Sequence, residues 1–109
     1  MKEVEISIAE AQDAIDFKRS LQNLIDNADF KKVITDGYFS REASRIVLMK
    51  ADPEMQTPEN QLLLNKQIDA VGFFRQFIRT QMHIGRLAEE ELAAHQATRE
   101  ELLGEDIDA

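Results

Sequence analysis

The chain has no cysteine, so disulfides and thiolate metal sites are excluded. No apolar run approaches the roughly 20 residues of a membrane span. Glycine occurs only at positions 37, 72, 85 and 104, too scattered for a phosphate-cradling loop. Histidine is limited to His83 and His95. Twelve residues apart on a helix, they point about 120° away from each other and cannot share one metal within a chain. The isolated hydroxyls Ser20, Ser40, Ser44 and Thr57 offer no nucleophile–base pairing. Basic residues are also short, 13 against 21 acidic, for a net charge of −8. That balance opposes bulk phosphate binding, which needs clustered Lys and Arg. The start, Met1-Lys2-Glu3-Val4-Glu5, lacks the apolar core of a signal peptide, and a cytoplasmic protein is expected.

Proline occurs twice, at Pro53 and Pro58, and Pro58 opens a long helix-forming stretch. If residues 58–103 form one helix, it measures roughly 69 Å at about 1.5 Å per residue. A compact globule of this chain length has a radius of gyration of only about 13 Å. A second copy of the chain is the simplest cover for the overhang.

The preceding residues read as short helices. Val4, Ile6 and Ile8 alternate with polar residues, so residues 1–8 are expected to be an extended arm. Ser7-Ile8-Ala9-Glu10 matches a capping box and opens a helix over 9–27. Ala14, Phe17, Leu21, Leu24 and Ile25 form its apolar face. Asp29 would cap a helix over 30–36, with Gly37 past its end. Ser40 would cap another over 41–50, with Ala43, Ile46 and Val47 inward. Thr57 before Pro58 is a strong start signal for the long helix over 58–103. Gly104 would end it and leave 105–109 as a frayed acidic tail. The expected fold is all-α: residues 1–104 as one helical domain, its short helices packed on the long one, with a coiled-coil-like extension.

The long helix has two unlike halves. From Leu62 to Leu87 its apolar residues occupy more than one stripe, the mark of a helix covered by several neighbours. Leu64, Val71 and Ile78 repeat every seven, as do Leu63, Ala70, Phe77 and Ile84 one step away. Leu64, Val71, Phe74, Phe77, Ile78 and Ile84 are the candidate oligomer interface. After Ala88 the pattern thins, and residues 88–109 carry one basic and eight acidic side chains. Glu89, Glu90, Glu91, Glu100 and Glu101 are candidates for binding a partner. Thr98-x-x-Glu101 is a second capping-box match, but with no breaker before it the helix is expected to continue. Glu91 and His95, four apart, fit a surface ion pair. Arg75, Arg79 and Arg86 form a basic stripe beside the phenylalanines. It is a candidate phosphate-binding surface, and more simply an arginine rim flanking an oligomer interface.

Asp29-Phe30-Lys31-Lys32-Val33-Ile34, Asp36-Gly37-Tyr38, Ala51-Asp52-Pro53-Glu54-Met55-Gln56 and Pro58-Glu59 resemble a group of small, acidic, helical proteins of tailed bacteriophages. The similarity runs on through Phe74-Arg75-Gln76-Phe77 and Thr98-Arg99-Glu100-Glu101-Leu102-Leu103. The resemblance implies a role in virion structure or assembly, in the host cytoplasm or the virion, and it assigns no functional residue. The expected function is therefore a non-enzymatic, self-associating phage protein without a cofactor, whose further partner is another phage structural protein or a host protein. The alternative is a host-directed inhibitor acting through the acidic end. A nucleic-acid-binding module is a weaker alternative.

Overall fold

The computed structural model describes the backbone of residues 2–108 and the side chains of residues 8–104. Every described element is helical: α1 (Lys2–Asp26), α2 (Ala28–Phe30), a π-helical segment (Lys31–Glu42), α3 (Ala43–Lys50), a 3₁₀ turn (Pro53–Met55) and α4 (Pro58–Asp108). The all-α expectation holds, and the boundaries shift at three places. α1 begins at Lys2, so the expected extended arm over 1–8 is helical where it is described. The Val4–Ile8 alternation is too short to prevail without a partner strand, and no breaker separates Lys2 from Ser7. The capping-box reading of Ser7 is set aside with it, because Ser7 lies inside the helix. At the other end α4 runs past Gly104 to Asp108, so the expected tail is helical through residue 108. Met1 and Ala109 lie outside the described residues.

The third shift is at Gly37. Two helices, 30–36 and 41–50, were expected on either side of it. Instead Phe30, Lys31, Glu42 and Ala43 all have right-handed helical backbone, so the chain coils on from Ala28 to Lys50. No glycine among the described residues has positive φ, so Gly37 is not a helix terminator. A Cβ added there would meet the Lys32 carbonyl oxygen at 3.2 Å. Glycine serves the π segment by its missing side chain, not by left-handed backbone. Ser40 falls inside the same segment and caps nothing.

The start signals behave as their chemistry requires. Asn27 has extended backbone, and its side chain accepts from the Asp29 and Phe30 amides at 2.9 and 3.1 Å. The cap is thus Asn27 and not Asp29, which sits in the first turn, where a carboxylate suits the helix dipole. Asp52 caps the 3₁₀ turn through the Glu54 amide at 2.9 Å. Thr57 Oγ1 accepts from the Asn60 amide at 3.2 Å, with Pro58 at the first helical position of α4. Two glutamines close the loop. Gln56 Nε2 donates to the Lys50 and Asp52 carbonyls, and Gln61 Nε2 to those of Lys50 and Met55. The Lys50 and Met55 carbonyls stand at helix and turn ends, where the last carbonyls lack an intrahelical donor, while the Asp52 carbonyl also accepts the Met55 amide at 3.0 Å.

The chain divides into two compact units. Unit 1 comprises residues 1–21 and 80–109; unit 2 comprises residues 22–79. In unit 2, α3 and the π segment lie antiparallel to the first part of α4, across the short connection around Pro53. Ile46, Leu64 and Val71 are its buried centre, ringed by Tyr38, Phe39, Ala43, Met49, Met55 and Ile68. Phe74 packs against Phe39 with ring centroids 5.2 Å apart and planes tilted by 48°, and meets Tyr38 edge-on at 6.3 Å. In unit 1, α1 lies antiparallel to the second part of α4. Its buried residues are mostly small: Ala11 and Ala88, with Leu21. A Cβ added at Gly85 would come within 2.4 Å of the Lys18 Cβ, so the two helices touch at this glycine. Lys18 Nζ then reaches Glu89 Oε1 at 2.7 Å.

Candidate interaction surface

The unit 2 part of α4 presents two apolar faces. One meets α3 and the π segment. Leu64 and Val71 lie on it, 1% and 4% exposed. They are therefore core residues of their own chain and unavailable to another copy, which corrects their assignment to an oligomer interface. A seven-residue repeat places residues on one face, and tertiary packing decides what covers that face. Phe74 belongs to the same side through its ring contacts with Tyr38 and Phe39. Ile78 is half-buried and borders a groove with Phe30 and Phe39.

The other face points away from that core. Leu62, Leu63 and Phe73 are 55%, 51% and 67% exposed. Phe77 is half-exposed on the same side. Leu62, Leu63 and Phe73 fall within the apolar stretch from Leu62 to Leu87, yet none of them is among the interface candidates that the sequence suggests. The usable signal was their offset from the Leu64–Val71 stripe. At about 100° per residue they fall some 100° or more from it. Leu62, Leu63 and Phe73 therefore replace Leu64 and Val71 as the exposed candidates.

Beside the core, Phe39, Ser40, Ala43, Val47, Leu48 and Arg75 line an open groove of about 770 Å³. Arg75 and Arg79 belong to unit 2, and Arg86 belongs to unit 1. Arg86 donates to His83 Nδ1 at 2.7 Å. Among the described residues Arg75 and Arg79 form no ion pair. Arg45 binds both carboxylate oxygens of Glu42. These hydrogen bonds, with the guanidinium charge, hold the Glu42 carboxyl below its ordinary value and raise Arg45.

In unit 1, Ile84 and Leu87 border a groove of about 270 Å³ with Ala11, Ala14 and Ala88. Of the partner-binding candidates, Glu89 is engaged by Lys18, and Glu91 lies 3.6 Å from His95 Nε2, the expected pair. Glu90, Glu100 and Glu101 are exposed. Thr98 donates its hydroxyl to the Ala94 carbonyl and does not break α4, as expected. The described residues hold no group of three or more metal-ligating side chains. Nor is any described helix long and apolar enough to cross a membrane.

No protein-family description, curated protein or solved structure matches this chain.

Proposed function

We propose that the protein is a helical interaction module that associates with itself and works by binding rather than by catalysis, in the manner of a virion structural or assembly factor. One observation carries this reading: Leu62, Leu63 and Phe73 stand more than half exposed on one face of α4, while the opposite face of the same helix holds the core. Grouped apolar side chains on a surface mark an interaction site, whereas scattered single ones do not. Light scattering on the full chain, from micromolar to sub-millimolar concentration, tests it. Mass rising with concentration above the 12.5 kDa monomer supports the reading; a constant 12.5 kDa sinks it.

A second reading has its own observation. Unit 1 carries 5 basic and 13 acidic side chains, unit 2 carries 8 of each, and so the whole net charge lies in unit 1. That concentration favours an acidic surface directed at a basic partner, such as a nucleic-acid-binding host enzyme. Salt-sensitive capture of such an enzyme, lost on deleting residues 88–109, would favour inhibition over assembly.

A further inference from the structure

The exposed face of α4 in unit 2 has an order along the helix that the apolar residues alone do not show. Leu62, Lys66, Asp69 and Phe73 are spaced four, three and four residues apart. At about 100° per residue they fall within some 60° of one another, a single straight stripe. All four are exposed. Lys66 and Asp69 are three apart, close enough to pair along the helix, yet neither takes part in an ion pair among the described residues. The stripe thus offers an apolar end, an unpaired cation, an unpaired anion and a second apolar end.

In reverse, that order is its own complement. The geometry points to a second copy of this chain as the occupant, docked antiparallel about a two-fold axis between Gln67 and Ile68. Lys66 of each copy then faces Asp69 of the other, and Leu62 of each faces Phe73 of the other. This is the isologous arrangement of a two-fold dimer, in which residue i meets j and j meets i. A parallel, in-register pairing would set Lys66 on Lys66 and Asp69 on Asp69, and like charges in apposition oppose it. Charge along a helical seam selects orientation in this way in coiled coils. A stripe of four residues is far smaller than the roughly 20–30 residues a side of a standard interface. The contact is therefore weak and concentration-dependent. The inference rests on the self-association reading and adds to it the residues, the orientation and the symmetry.

The test uses the full-length chain and sedimentation equilibrium, with circular dichroism as the check on folding. Lys66→Asp leaves two anions in each stripe, and Asp69→Lys leaves two cations. Each alone should weaken self-association about tenfold or more, since two attractive pairs become two repulsive ones. Mixing the two variants in equal amounts should restore it, because every facing pair is again opposite in sign. Geometry is read separately by oxidative cross-linking, which the cysteine-free background keeps clean. Chains carrying Leu62→Cys should cross-link to chains carrying Phe73→Cys, and Leu62→Cys chains should not cross-link among themselves. If the wild-type chain associates but the charge variants match it and their mixture gains nothing, the pairing is wrong and self-association stands. Cross-linking of Leu62→Cys chains with one another would show a parallel contact and overturn the antiparallel one. A wild-type monomer throughout the concentration range overturns both.

Discussion

Unit 1 and unit 2 are each a pair of antiparallel helices, yet different forces close them. Unit 2 is electrically neutral and is closed by Ile46, Leu64 and Val71 with an aromatic cluster of Tyr38, Phe39 and Phe74. Unit 1 carries the entire net charge of −8 and is closed by close approach at Gly85, Ala11 and Ala88, with Lys18 reaching across to Glu89. Large side chains interlocking at a distance and small ones letting backbones meet are two solutions to the same packing problem. They differ in what they leave outside. Both leave some large apolar side chains exposed, Leu62, Leu63 and Phe73 in unit 2 and Phe17, Leu102 and Leu103 in unit 1, but only unit 1 adds an excess of carboxylates.

The contrast predicts unequal responses to substitution. Leu64→Ala removes the most buried large side chain of unit 2's share of α4 and should cost about 2–5 kcal/mol. Hydrogen exchange should rise mainly within residues 22–79. An increase confined to residues 80–108 would break the distinction between the units.

Gly85 and Gly72 sharpen it further, because both are helical glycines of α4 in different surroundings. Alanine at Gly85 collides with the Lys18 Cβ, which cannot swing away as a side-chain tip could, and should destabilise by about 1–3 kcal/mol despite its better helix propensity. Alanine at Gly72 meets nothing within 4 Å and should stabilise by up to about 1 kcal/mol. Urea unfolding of both variants checks the pair. The same sign for both would remove close approach as the reason for Gly85.

The smallest effect belongs to Glu42 and Arg45 in unit 2. The folded Glu42 pKa is depressed, chiefly by hydrogen bonds from Arg45. Its contribution is therefore present above the ordinary carboxylate value and is lost as pH falls through the lowered folded value. Glu42→Gln should melt slightly below the wild type at pH 7. The two melting temperatures should converge in strong acid, and a gap that persists there would assign the loss to something other than charge.

Much of the fold was legible in local chemistry. Asp26-Asn27, Asp52-Pro53 and Thr57-Pro58 mark real interruptions, because capping and proline act within one turn and need no distant partner. Gly37 misled, since a glycine that ends a helix and one that relieves crowding inside a π segment look the same in a sequence. The capping box at Ser7 misled in another way: the motif is present, but nothing upstream prevents the helix from starting earlier.

The interaction surface was half legible for a related reason. Composition and periodicity alone determined that this is an all-helical chain, that its long helix starts at Pro58, and that the helix has more apolar surface than one neighbour can cover. They could not say which stripe is covered. Leu64–Val71 and Leu63–Ala70 repeat equally well, and only the folding back of α3 and the π segment onto α4 buries the first pair and leaves Leu63 exposed beside Leu62 and Phe73. Periodicity is a property of one helix, and burial is a property of what that helix meets.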